Sequence, residues 1–160
     1  MNVPSNKRLI IALEDAHALE TQVSETLTTL AGSAPHKDLR TVLESHRDET
    51  DEIRNKLEQA LGKLGHRASS RKERQAVFAA TLKGFAGSLR EESSPQNLKD
   101  WYVAEHNELA TFAILSRVAD RLGHPDIAQL SRDAASAHRQ AAETAAEWFD
   151  YLVELMVDAQ

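Results

Sequence analysis

The stretch VAEHNELATF, residues 103–112, carries two carboxylates three residues apart, Glu105 and Glu108. On a helix that spacing aims both side chains at one place. In alternating steps of three and four, the core stripe here reads Trp101, Glu105, Glu108, Phe112, Leu115, Ala119, Leu122. The pair therefore stands where a core-facing helix carries leucines. Two earlier stripes are interrupted in the same way: Leu9, Leu13, Ala16, Glu20, Val23, Leu27, Leu30, and Leu39, Val42, His46, Glu49, Ile53, Leu57, Ala60, Leu64. His46 and Glu49 are again three residues apart.

A lone carboxylate in an apolar interior costs several kcal/mol or takes up a proton. Glu20, Glu49, Glu105 and Glu108 at one level would repel one another unless cations neutralised them. An oxygen-rich set with one or two imidazoles suits iron, or manganese or zinc in its place. The last stripe, Ile127, Leu130, Ala134, Ala137, Ala141, Ala145, Trp148, Leu152, Leu155, has alanines where the others carry ligands. His138 lies one position off it and can turn inward over Ala134 and Ala141. The expected ligands are Glu20, His46, Glu49, Glu105, Glu108 and His138, for one or two ions.

Four long helices must bring these residues together. The periodicity predicts helices over about 6–30, 36–64, 95–122 and from 126 almost to the C-terminus. Gly32-Ser33-Ala34-Pro35, Gly65 and Gly123-His124-Pro125 stand at their ends. A shorter helix over about 71–91 is expected in the connection, opened by a Ser70/Glu73 capping box, and Ser94 with Pro95 starts the next long one. Leu64-Gly65-His66 and Leu122-Gly123-His124 close the second and third long helices alike. No segment alternates with a period of two. The expected class is all-α, a ferritin-like four-helix bundle with a short helix in its crossover, forming one domain over residues 1–160.

Composition agrees. The chain of 160 residues is 41% hydrophobic and 28% charged, a globular balance, with formal net charge −6 and no basic stripe, which argues against nucleic acid as a partner. There is no cysteine, so disulfides and thiolate metal sites are excluded, and a reducing cytoplasm is the expected setting. The apolar run Leu9–Leu13 is too short for a membrane span. There is no phosphate-binding glycine loop, nucleophile elbow or His-Glu-x-x-His motif.

Together LEDAHALETQV (13–23), LESHRDETDEI (43–53), VAEHNELATF (103–112) and ADRLGHPDIAQL (119–130) resemble the YciF/YciE-type ferritin-like family of bacterial stress-associated proteins. That family's pattern is similar to L-x-D-x-Y-x-A-E-x-Q-L, H-x-x-E-T, V-E-H-Y-E-I-A-x-Y and A-x-x-L-G. The resemblance covers nearly the whole chain. It implies a bundle that is usually a homodimer, with a di-metal centre and no established activity. By position Glu20, His46, Glu49, Glu105 and Glu108 match its glutamates and histidine. The last helix departs: Ser136-Ala137-His138 stand in register with a run of glutamates, Ala141 takes the next acidic position, and His17 and Phe112 replace tyrosines.

The expected function is a metal-binding, stress-related protein with iron in the bundle core, open to O2 or peroxide chemistry if redox-active. The alternative is a metal-free bundle acting through an interface. A third reading, a hemerythrin-like oxygen binder, rests on one histidine per helix (His17, His46, His106, His138) but meets Ala110 where a second histidine is needed. His36, His66 and His124 fall at helix junctions and are expected to cap or face solvent.

Overall fold

The computed structural model describes residues 3–69 and 95–158. They form helices α1 (Val3–Ser33), α2 (Lys37–Lys63), α3 (Pro95–Arg121), α4 (Pro125–Glu147) and α5 (Phe149–Asp158), with no strand among the described residues. α1 pairs with α2 and α3 with α4, and the two hairpins meet along α1 and α3, whereas α2 and α4 touch sparsely. The expected short helix over about 71–91, its capping box and Ser94 lie outside the described residues.

The helix ends follow from local chemistry. Gly65 (φ 72°) and Gly123 (φ 77°) take the left-handed conformation that favours glycine. Behind them the N–H of His66 reaches the carbonyl of Leu61 at 3.0 Å, and that of His124 reaches Ala119 at 2.9 Å. The repeated Leu-Gly-His is thus one helix stop used twice, a Schellman closure. His36 caps α2, its Nδ1 accepting the N–H of Asp38 at 3.2 Å.

The last predicted helix is broken. At Trp148 the backbone N–H turns back to the carbonyl of Ala145 at 3.2 Å, ending α4. The aromatic cluster accounts for the bend: Trp148 and Tyr151 pack edge-on against His36 at 5.2 and 5.7 Å between ring centres, and Phe149 against Tyr102 at 5.2 Å. α5 thus sets Tyr151 against His36 in the α1–α2 turn and Phe149 against Tyr102 on α3.

The core is two apolar clusters with a polar layer between them. Leu9, Leu13, Ile53, Leu57, Phe112, Leu115, Ile127 and Ala134 belong to one, and Val23, Leu27, Leu39, Leu43, Leu98, Trp101 and Ala145 to the other. On every long helix buried ionisable residues fall between the two: His17 and Glu20 on α1, His46 on α2, Glu105 and Glu108 on α3, His138 on α4. Two stripes depart from expectation by one residue at alternate positions. α2 buries Leu39, Leu43, His46, Thr50, Ile53 and Leu57, and α4 buries Ile127, Ser131, Ala134, His138, Ala141 and Ala145. In both the four-residue step comes before the three-residue step. Thr50 therefore replaces Glu49 in the interior, and His138, expected off the stripe, lies on it. Thr50 is satisfied within its own helix, donating to the carbonyl of His46 at 3.0 Å.

Candidate metal centre

His138 is the hub of the polar layer. Its Nε2 lies 2.9 Å from Glu20 Oε1, and its Nδ1 lies 3.0 Å from Glu105 Oε2 and 3.2 Å from Glu108 Oε2. Glu20, Glu105, Glu108 and His138 are all fully buried. Phe112 stacks on the imidazole, 5.4 Å between centres and 15° from parallel. On the far side, Glu105 Oε1 accepts from His46 Nε2 and from the indole N–H of Trp101, each at 2.7 Å.

This arrangement needs one more proton or a positive ion. A neutral imidazole donates from only one nitrogen, yet carboxylate oxygens face both nitrogens of His138. A second ring proton, a proton on a facing carboxyl group, or a metal ion satisfies the other contact. Burial opposes charge on His138, but the charge of Glu108 and the hydrogen bonds to Glu105 and Glu20 outweigh it and drive its pKa well upward. Burial likewise favours protonated Glu105, yet hydrogen bonds from His138 and His46 hold its pKa down to about 2. The other two carboxylates go the opposite way. Burial raises Glu20, with His138 offsetting part of the effect, and burial together with the Glu20 charge places Glu108 well above the usual carboxylate range.

The donor atoms fit an ion. Glu20 Oε2 and both oxygens of Glu108 are buried without a hydrogen-bond partner, the close approach of His138 Nδ1 to Glu108 being an ion pair without hydrogen-bond alignment. Such orphaned oxygens are expensive unless something positive meets them. Among the described residues, two groups bring their ligand atoms within 4.8 Å of one another: Glu20, Glu108 and His138, and His46, Glu105 and His138. Both use His138, and Glu105 Oε1 is already filled by Trp101 and His46. The unfilled oxygens therefore favour a single ion in the first group.

The structure brings together every expected ligand except Glu49. That side chain is exposed, its Oε2 3.5 Å from His46 Nδ1 at the rim of the layer. Glu49→Ala is accordingly expected to shift the melting temperature by no more than about 2 °C, as for other exposed positions, and to leave equilibrium metal affinity nearly unchanged. A loss of affinity comparable to that of Glu108→Gln in the same titration would show that Glu49 is a ligand after all. His17 is buried but turned toward Glu58, 3.4 Å from its Oε1, and His106 is exposed, its Nδ1 donating to the carbonyl of Tyr102 at 2.9 Å. Neither joins the cluster, which removes the one-histidine-per-helix arrangement of the hemerythrin-like reading. Trp101 was expected as core alone. The signal for its second role was its place four residues before Glu105, because a buried indole N–H needs an acceptor.

Comparison with known proteins places this geometry. The crystal structure of a protein from Xanthomonas campestris superposes with a TM-score of 0.81 at 22% identity, covering 98% of this chain and 97% of the other. The Escherichia coli stress protein YciF gives 0.79 at 18% identity, over 96% and 99% of the two chains. A Dps protein from Thermosynechococcus elongatus gives 0.78 at 12% identity, over 91% and 92%. At these identities the likenesses establish the ferritin-like fold alone. No curated protein matches the chain. A family model described as a domain of unknown function (DUF892) matches residues 5–160, and the chain therefore belongs to this YciF-type ferritin-like family.

Proposed function

We propose that the polar layer binds one divalent cation, iron first and manganese or zinc in its place, through Glu20, Glu108 and His138. The observation that carries this reading is the set of orphaned, fully buried oxygens on Glu20 and Glu108 beside an imidazole. Around them, Trp101 and His46 hold Glu105 by its Oε1, Phe112 fixes the plane of His138, and the two apolar clusters exclude water. Bound iron would supply one-electron chemistry toward O2 or peroxide, and the chain would set its ligands and limit access. The homodimer and the stress-related role implied by the resemblance belong to this reading, as does a cytoplasmic setting. No described helix is long and apolar enough to cross a membrane.

Anaerobic titration of chelator-treated protein with Fe(II), Mn(II) or Zn(II), followed by calorimetry and thermal melting, tests it. One ion per chain is expected. At a hundredfold excess over Kd the gain is about 2.7 kcal/mol, which raises the melting temperature by about 5–10 °C. Glu20→Gln and Glu108→Gln should each abolish the gain. Metal-free protein after purification, with no stabilisation by any of the three metals, sinks the proposal.

A second reading draws on the contacts of His138 with all three carboxylates: a doubly protonated ring supplies the positive charge and no metal is needed. It describes a bundle that keeps the fold and acts through its surface.

A further inference from the structure

The polar layer has one side open to the surface. Glu20, Glu105, Glu108 and His138 are fully buried, and of the cluster only His46, at 5%, keeps any exposure. His46 lines the seam between α2 and α4, where the helices touch sparsely and α4 contributes Ala137, Gln140, Ala141 and Thr144. Two adjoining clefts open along that seam. One, of about 400 Å³, is floored by His46 and Trp101 and walled by Thr41, Ser45, Gln140 and Thr144. The other, of about 520 Å³, is lined by Glu49, Glu52, Asp126 and Asp133; Lys56 pairs with Glu52 at 2.6 Å and Lys63 with Asp126 at 3.6 Å, so Glu49 and Asp133 carry its net negative charge. Glu49 and Ala137 line both.

We infer that the α2/α4 seam is the route by which divalent cations reach the buried cluster, with Glu49 as the outer carboxylate that receives them and His46 as the side chain they pass. This rests on the metal-binding reading above. The geometry is directional. The acidic cleft leads to Glu49, Glu49 Oε2 lies 3.5 Å from His46 Nδ1, and the other nitrogen of His46 lies 2.7 Å from Glu105. An acidic approach with low-dielectric walls concentrates cations and speeds their arrival. Glu49, aligned with the ligands in sequence but turned outward in the fold, thereby acquires a kinetic role instead of a binding one.

Leucine at Ala137 would fill the junction of the two clefts, and Glu49→Ala would remove the receiving charge without adding bulk. Two readouts decide the matter. The first is stopped-flow Co(II) loading followed by visible absorption. Ala137→Leu should load about tenfold more slowly, as expected for a gated approach, and Glu49→Ala about threefold more slowly at low salt, both with unchanged affinity. The second does not depend on metal binding: quenching of Trp101 fluorescence by Cs⁺, with Trp148→Phe as the background. Quenching is expected in the background protein and should fall severalfold with Ala137→Leu. Parent-like loading rates in both variants overturn the route. So does a Trp101 that Cs⁺ cannot reach, or reaches equally after Ala137→Leu. If neither Co(II) nor iron, manganese or zinc binds, the metal reading fails, and the Cs⁺ result still decides whether cations enter by this seam.

Discussion

His138→Ala is expected to lower the melting temperature of the metal-free protein by on the order of 10 °C, the largest effect of any single substitution in the polar layer. Removing one partner of a buried ionic group costs about 3–5 kcal/mol, because the remaining charge stays buried and uncompensated. In a chain of this size each kcal/mol corresponds to about 2–4 °C. Three carboxylates depend on this one ring, at 2.9, 3.0 and 3.2 Å. Glu108→Gln should behave in the opposite sense, neutral or mildly stabilising. Burial and the Glu20 charge already disfavour the Glu108 carboxylate, and neither of its oxygens has a hydrogen-bond partner to lose. The double variant should recover part of what His138→Ala loses. Urea melts at pH 7 in chelator measure all three. A His138→Ala protein as stable as its parent, or a Glu108→Gln protein weakened as much as His138→Ala, contradicts this account of the layer.

The second large effect is on pH. His138 is faced by Glu20 from α1 and by Glu105 and Glu108 from α3, with His46 of α2 beside it. Its pKa is raised in the folded state, so its contribution is full below its ordinary value of 6.5 and is lost as pH rises above that. Glu20 and Glu108 act in the same direction. Their raised pKa values mean that ionisation opposes the folded form, and acidification toward 4.5 relieves the opposition. Glu105 has the reverse sign: its stabilisation is present above 4.5 and disappears as pH falls toward about 2. Metal-free protein should therefore melt several degrees higher at about pH 5.5 than at about pH 8.5, and lose stability again below about pH 4. Metal reverses the trend. Binding needs deprotonated ligands, so the stabilisation by Mn(II) should be largest at pH 8.5 and absent near pH 5. Melting curves with and without chelator at the two pH values separate a protein that uses a metal from one that uses a proton. A metal-free protein whose stability is flat between them leaves the cluster without the charge balance described here.

Much of the fold is legible in the linear chain. The two Leu-Gly-His stops, the scarcity of glycine and proline between them, and the three-four periodicity are local signals, and local backbone chemistry responds to them directly. The break at Trp148 is not legible, because it comes from aromatic packing against His36 and Tyr102, which lie far away in sequence.

The candidate site divides in the same way. The chain by itself determined that ionisable residues interrupt the apolar stripes near the middle of three helices, because a stripe is a property of one helix and any hydrophobic core must bury it. Only the tertiary structure decided which of them meet. Thr50 and Glu49, like His138 and Ala137, point about 100° apart on their helix, and which of each pair turns inward is set by the neighbouring helices against which it packs. The same packing turned Trp101 from core filler into a donor to Glu105, and left Ala137 and Ala141 of α4 lining a sparsely packed seam with α2.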